Sequence, residues 1–214
     1  MTWQVWLAFL GAAIAISVSP GAGAVQSMAT GMTHGLRRGY WSILGLEIGL
    51  MLQLALVAAG LGAVVTRSVI AFTVIKWIGV AYLAYLAIKQ WRTATTDLRA
   101  TVGKAQRAGA GGRVALTVRG FLVNATNPKG LVFFLAVLPQ FVVPAAPLLP
   151  QYLAIGATMI VVDIVVMGLY TGLAVRLVDW LHTPRQQTML NRVFSALFAT
   201  AAVVLSFVRR GVAA

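Results

Sequence analysis

Ser19-Pro20-Gly21-Ala22-Gly23 interrupts a long apolar run near the start of the chain. No Asp, Glu, Lys or Arg precedes Arg37, and the run exceeds the roughly 20 residues that one straight helix needs to cross a bilayer. Proline removes a backbone donor, and the two glycines loosen the backbone further. In lipid, freed backbone groups must be satisfied by protein or by cavity water. The stretch predicts a helix broken inside the membrane at a binding site; the simpler alternative is a tolerated proline kink.

A second break in the other half of the chain favours the binding-site interpretation. Asn127-Pro128-Lys129-Gly130 repeats the pattern within another apolar run. Each half is predicted to contain three membrane helices, the first broken at proline, and an odd number of helices gives the two copies opposite orientations. Paired interrupted segments in inverted repeats are typical of secondary transporters and indicate a midplane site. The predicted fold is an all-α integral membrane protein of six transmembrane helices, arranged as two inverted three-helix repeats.

Composition supports a membrane protein and excludes several functions. Of 214 residues, 60% are hydrophobic and 10% are charged, against about 25% charged in soluble domains. The net charge of +13 is explained by topology-setting loops and anionic headgroups rather than by nucleic acid. The chain has no cysteine and only His34 and His182 as imidazoles. Disulfides, thiol chemistry and a metal centre are therefore not expected, and neither is a cofactor.

The predicted organisation has three parts. Residues 1–92 form the first repeat and residues 118–214 the second, with a flexible basic cytoplasmic loop over 93–117 that has too little apolar surface to fold alone. This loop is either a regulatory or lipid-binding segment or, more simply, a solvated connection. The six spans are predicted at about 3–28, 41–65, 69–90, 118–138, 151–176 and 189–208.

Basic residues predict the orientation. Most of them fall in or beside the loops after spans one, three and five, and the positive-inside rule then places both termini on the periplasmic or external side. Those residues are Arg37, Arg38, Lys89, Arg92, Arg99, Lys104, Arg107, Arg113, Arg119, Arg176, Arg185 and Arg192. The opposite side has Arg67, Lys76, Arg209 and Arg210.

Three ionisable residues lie within predicted spans: Glu47, Lys129 and Asp163. Each costs roughly 2.5–3.5 kcal/mol at the bilayer centre, so such residues face the interior and pair with one another. If Lys129 neutralises one acid, the other can bind a cation or carry a proton. The alternative is a structural ion pair that locks the two halves. Further candidates for hydrogen bonding in the cavity or between helices are Gln53, Asn124, Asn127 and Tyr170.

The chain resembles the lysine exporter (LysE/RhtB) family of amino-acid efflux transporters over nearly its whole length. The residues that carry the resemblance are Ser19-Pro20-Gly21, Gly31, Gly35, Gly39, Gly45, Gly49, Lys76, Gly79, Tyr82-Leu83, Asn127-Pro128-Lys129, Asp163 and Tyr170. The resemblance implies export of amino acids or related metabolites by exchange with protons, from the inner membrane of a bacterium. Two positions depart from the family pattern: Ala22 replaces a frequent proline, and Gln53 replaces a frequent histidine, which puts a protonatable role at 53 in doubt.

The predicted function is therefore a secondary exporter working by alternating access. The candidate site residues are Ser19, Pro20, Gly21, Glu47, Asn127, Pro128, Lys129, Asp163 and Tyr170. Helix N-termini beside the glycines would bind a substrate carboxylate, and an acid would receive the ammonium group or the proton. The expected partners are an amino-acid substrate, protons and the bilayer, and a homodimer is compatible with the sequence. The alternatives are a divalent-cation exporter, for which the spans lack Cys and His, and a membrane enzyme, for which no His–Ser or metal constellation accompanies the acids. A third alternative is a passive facilitator, which would transport independently of a pH gradient and without counterflow.

Overall fold

The computed structural model describes residues 2–65, 69–92, 98–107, 111–143, 145–180 and 183–207. Within these ranges the chain is helical apart from short breaks and turns, and it has no strand. The loop residues Arg67, His182, Arg209 and Arg210 of the sequence predictions lie outside the described residues. The helices in chain order are α1 (Trp3–Val18), α2 (Ala22–Val65), α3 (Val69–Arg92), α4 (Leu98–Arg107), α5 (Arg113–Ala125), α6 (Pro128–Phe141), α7 (Leu148–Gly172), α8 (Ala174–Trp180) and α9 (Pro184–Phe207).

The first break lies where the sequence predicts it. α1 ends at Val18 and α2 begins at Ala22, so Ser19-Pro20-Gly21 belongs to neither helix. Ser19 is extended, with φ −65° and ψ 119°, which is the conformation that proline favours in the residue before it. The Val25 N–H then donates to the Gly21 carbonyl oxygen at 3.0 Å. The chain is therefore fully interrupted here rather than merely kinked.

α2 folds back on itself at Gly35. This glycine has φ 70° and ψ 175° inside an otherwise helical segment, a conformation that is essentially restricted to glycine. The Gln26 side-chain amide donates to the Ser42 hydroxyl at 3.2 Å, although 16 residues of straight helix would separate them by roughly 24 Å. α2 is thus a hairpin with a first arm (22–34) and a second arm (36–65). The predicted loop around Arg37 is therefore much shorter than expected.

The second break separates α5 from α6, whose axes differ by 49°. α5 ends at Ala125, and Pro128 is the first residue of α6, a position where the missing proline N–H costs no hydrogen bond. Asn127 caps the new helix, because its side-chain oxygen accepts from the Lys129 N–H at 3.0 Å. Both prolines therefore mark the beginning of a second half-helix, after a complete interruption of the chain.

The segment predicted as a flexible linker contains the helix α4. Val102 is buried against Met28, Ala29 and Ala174, and the Arg119 guanidinium donates to the Ala105 carbonyl oxygen at 2.8 Å. The expectation of an irregular segment is wrong for residues 98–107, because the apolar side of α4 packs against other helices instead of having to fold alone. The division of the whole chain into two repeats remains a prediction.

Within the described residues, two segments contain enough apolar helix to span a membrane, Ala22–Gly60, which includes the second arm of α2, and Leu148–Gly172, and α5 with α6 makes a third, bent candidate. Large apolar side chains such as Leu56, Val161 and Val165 point outward, as expected for a lipid-facing surface. The protein is therefore an integral membrane protein built of helices. The count of six spans remains a prediction.

α2 is the centre of the helix packing. It contacts α4, α5, α6, α7 and α8, while α3 packs mainly on α9 and α6. The second arm approaches α5 closely through Gly45, Gly49 and Gly120, since a Cβ atom at Gly45 would collide with the Thr117 carbonyl oxygen and one at Gly120 with that of Ser42. Small residues permit such close helix packing in membranes. This contact fixes the second break beside the second arm of α2.

Candidate functional site

A small cavity lies where the two helix breaks meet. It measures ≈ 50 Å³ as the space open to the centre of a water molecule, enough for a few waters. Its lining comes from both halves of the chain: Ile16, Ser17, Ser19, Gly21, Gly23, Ala24, Leu46, Leu50, Asn124, Asn127, Lys129, Gly130, Phe133, Met159, Asp163 and Met167. The structure therefore brings the two predicted breaks and one of the two predicted acids to a single site.

Lys129 bonds to the end of the first half-helix. Its ammonium group donates to the carbonyl oxygens of Ser19 at 2.6 Å and Ile16 at 3.2 Å, two acceptors beside the break. An ammonium group has three donors, so a third remains for a ligand in the cavity. Lys129, a residue of the second break, thus supplies hydrogen bonds to carbonyl oxygens at the first break.

Tyr170 has the same role at the neighbouring residue. Its hydroxyl donates to the Val18 carbonyl oxygen at 2.7 Å, and it does not line the cavity. Tyr170, which the sequence analysis includes among the site residues, therefore holds the end of α1 in position and does not face the cavity.

Gln53 supplies hydrogen bonds to the backbone carbonyl groups of the second break. Its side-chain amide lies within hydrogen-bonding distance of the carbonyl oxygens of Asn124 (2.8 Å), Ala125 (3.3 Å) and Asn127 (2.8 Å), which the interruption of the helix leaves free. The Asn124 amide in turn donates to the Leu46 carbonyl oxygen at 2.8 Å. The sequence marks Gln53 as a residue of the membrane interior, but its partners are far away along the chain and only the fold identifies them.

The two predicted acids meet beside the cavity. Asp163 lines it and lies near the Glu47 carboxyl group and the Lys129 ammonium group. Asp163 is 7% exposed and Glu47 is 5% exposed. Neither oxygen of Glu47 has a hydrogen-bond partner with standard geometry, and the same holds for the nearby Ser17 hydroxyl. Asp163 is therefore the acid placed to contact a ligand, and Glu47 lies behind it.

The cavity lining contains groups of both charge signs. α2 and α6 both begin at it, and helix N-termini carry partial positive charge and free N–H groups. With the Lys129 ammonium group they form a positive region, and the Asp163 carboxyl group supplies the negative region. The site is suited to a small molecule that carries an anionic and a cationic group together.

Five of the nine predicted site residues line this cavity. Ser19, Gly21, Asn127, Lys129 and Asp163 line the cavity. Pro20 and Pro128 shape the breaks without lining it, and Glu47 and Tyr170 lie outside the lining. The sequence did not single out Ser17 or the apolar wall around Phe133. Within the described residues no group of three or more His, Cys, Asp or Glu could hold a metal ion.

Comparison with known proteins gives consistent matches over the length of the chain. The LysE type translocator family matches residues 14–208. A homoserine/homoserine lactone efflux protein of Salmonella typhi is 43% identical over 98% of this chain and 99% of its own length. An uncharacterized membrane protein of Vibrio cholerae is 39% identical over 96% and 98%, and a leucine efflux protein of Enterobacter sp. (strain 638) is 24% identical over 90% of each chain. No solved structure matches.

Proposed function

Because the chain belongs to the LysE type translocator family, we propose that it exports a small neutral amino acid, or a close derivative, by proton antiport through alternating access. It is a transporter and not an enzyme. The observation that carries the substrate proposal is the cavity between the breaks, which presents a positive region and a buried carboxyl group within one small space.

A zwitterion matches this arrangement. The substrate carboxylate would accept from the third Lys129 donor and from the N–H groups at the beginning of α2 and α6. The substrate ammonium group would bind Asp163. The names of the relatives, homoserine/homoserine lactone efflux protein and leucine efflux protein, agree with a neutral substrate, and homoserine and leucine are the first compounds to test.

The small volume of the cavity supports alternating access. A space of ≈ 50 Å³ for water centres holds a few waters but no amino acid of the size of leucine. Binding therefore requires the helices around the breaks to separate. The interrupted half-helices provide natural hinges, as in transporters built from inverted repeats.

The proposed orientation follows the positive-inside rule. Arg37, Arg38 and Arg113 meet at one end of the helix bundle, which is then the cytoplasmic end of a protein in the bacterial inner membrane. Both termini lie on the external side in this arrangement. An inverted three-helix repeat explains why each break is satisfied by a residue of the other half.

The test is efflux from proteoliposomes loaded with labelled homoserine, leucine, lysine or glutamate, with and without an imposed pH gradient. We expect saturable, gradient-dependent loss of a neutral amino acid. Asp163→Asn should remain folded and lose efflux by at least tenfold, while Thr126→Ala, at an exposed position beside the second break, should transport like the wild type.

Three outcomes would contradict parts of this proposal. Normal transport by Asp163→Asn would reject the role of the carboxyl group. Efflux that is independent of the pH gradient and shows no counterflow would indicate a passive facilitator. No loss of any amino acid, with loss of a divalent cation instead, would replace the substrate class.

A further inference from the structure

A second and larger cavity lies at one end of the bundle, about two to three helical turns along α2 from Glu47. It measures ≈ 600 Å³ by the same criterion as the central cavity, and its lining residues are Arg37, Arg38, Trp41, Gly111, Gly112, Arg113 and Leu116. Three of these seven residues are arginines, and none is acidic. The proposed transport cycle does not use this cavity.

The arginines come from two elements that the hairpin of α2 brings together. Arg37 and Arg38 follow the turn at Gly35, and Arg113 begins α5. The Arg113 guanidinium lies over the Trp41 ring, 5.4 Å from its centroid, a cation–π contact that fixes its position. Arginine presents planar paired donors that match phosphate oxygens.

Backbone groups add to the positive charge. Gly112 precedes the first turn of α5 and has no side-chain cap, so the initial N–H groups of this 13-residue helix have no partner within the helix. Such N–H groups bind phosphate readily. Gly111 and Gly112 carry no side chain that would block the approach of a ligand to them.

The exposed apolar surface beside the cavity favours a lipid over a soluble phosphate as the ligand. Val114 is 77% exposed and Val118 is 49% exposed, and Leu122 continues the same side of α5. Leu44 and Ile48 form a similar exposed row on α2, beginning from Trp41. Two rows of apolar side chains therefore run along the helices from the arginine-lined cavity, in the direction in which the acyl chains of a bilayer lipid would lie.

We propose that this cavity binds the phosphate headgroup of an anionic phospholipid, with Arg37, Arg38 and Arg113 on the phosphate and the acyl chains along the exposed rows of α2 and α5. Each arginine contributes about fivefold and all three about a hundredfold to affinity, since a basic residue near an anionic lipid contributes about 1 kcal/mol. A bound lipid would link the turn of the α2 hairpin to the beginning of α5.

The test measures retention of phosphatidylglycerol against phosphatidylcholine by native mass spectrometry of the purified full-length chain. The variant is Arg37→Gln/Arg38→Gln/Arg113→Gln. The matched control is Arg107→Gln/Arg176→Gln/Arg185→Gln, which removes the same charge from exposed positions outside the cavity. Wild type and control should retain phosphatidylglycerol and not phosphatidylcholine, and the cavity variant should bind it about a hundredfold more weakly.

Three results would overturn the proposal. Equal loss of phosphatidylglycerol in both triple variants would show attraction by net charge alone. Displacement of the lipid by an equal concentration of inorganic phosphate or glycerol 1-phosphate would show a site for soluble phosphate. If the triple variant fails to fold, Arg113→Gln alone should weaken binding about fivefold, and unchanged binding by this folded single variant would also reject the site.

Discussion

At the scale of single residues, Lys129 lies where three helix ends meet. It donates to carbonyl oxygens beside the end of α1, it belongs to the first turn of α6, and its ammonium group lies 3.5 Å from the position that a Cβ atom on Gly21 would occupy, just before α2. Its charge also interacts with Asp163. Hydrogen bonds from charged donors contribute about 1.5–3 kcal/mol each, so this lysine has a structural role in addition to the proposed role in binding.

A substitution at Gln53 tests whether the carbonyl groups at the second break need a hydrogen-bond donor, and it does not alter the charge of the protein. Gln53→Leu removes the donor from the carbonyl groups at the second break, which remain buried. We expect a loss of about 1–3 kcal/mol of unfolding free energy, measured as a lower Tm of the purified protein. Gln53→His retains a ring N–H donor and should lose less.

The control for this prediction is Gln4→Leu, at an exposed position of α1, which should leave the Tm unchanged. Equal Tm values for Gln53→Leu and the wild type would mean that water or another group satisfies these carbonyl groups.

At the scale of elements, the contact between α2 and α5 depends on residues without side chains. Gly45→Ala places a methyl group against the Thr117 backbone, which cannot move as a flexible side chain does. We expect the helices to separate at a cost of about 1–3 kcal/mol, measured as lower yield and lower Tm. Gly11→Ala, where nothing lies within 4 Å of the new methyl group, is the matched control and should be neutral or slightly stabilising.

The turn of the α2 hairpin requires glycine for its backbone conformation rather than for its small size. Nothing crowds a Cβ atom at Gly35, but its φ of +70° is unfavourable for any other residue. Gly35→Ala should therefore cost about 1–3 kcal/mol through the backbone alone, and Gly103→Ala, also uncrowded but without a positive φ, should cost less. The measurement is the Tm of each variant, and Gly35→Ala should have the lower value. Equal Tm values would mean that the turn tolerates a different conformation.

Local chemistry explains which elements could be predicted from the sequence. Pro20 and Pro128 each lie next to polar or glycine residues in an apolar run, and proline removes a backbone N–H and disfavours helix in the residue before it. Both breaks could therefore be predicted. Val102 illustrates the opposite case: α4 forms because this side chain packs on Met28 and Ala29, more than 70 residues away in sequence. The partners of Gln53 and Lys129 were unpredictable for the same reason, since they depend on which helix lies beside each break.

At the scale of the whole molecule, the helices converge on one cavity from both halves of the chain. The arginine-lined cavity marks one end of the bundle, and α1 begins with Trp3 and Trp6 stacked at 4.8 Å, aromatic residues of the kind that anchor helices at a membrane surface. The charge distribution and the aromatic residues thus give the molecule two chemically different ends.

Because the chain has no cysteine, its orientation in the membrane can be measured by labelling single introduced cysteines. Single cysteines introduced as Thr2→Cys and Arg107→Cys would be labelled with a membrane-impermeant maleimide in intact cells. We expect Thr2→Cys to react at once and Arg107→Cys to react only after permeabilisation, because basic loops remain in the cytoplasm. The reverse pattern would invert the proposed orientation.

The bond from Lys129 to the end of α1 also has a consequence during biosynthesis. The Ile16 carbonyl oxygen and its donor are 113 residues apart in the chain, a length that takes a ribosome roughly 6–20 s to synthesise. Until then the first interrupted helix is in the membrane with an incomplete set of hydrogen bonds. A nascent chain that stops before the second interruption therefore lacks the residue that completes the first, and quality-control proteases would have a way to recognise unfinished copies.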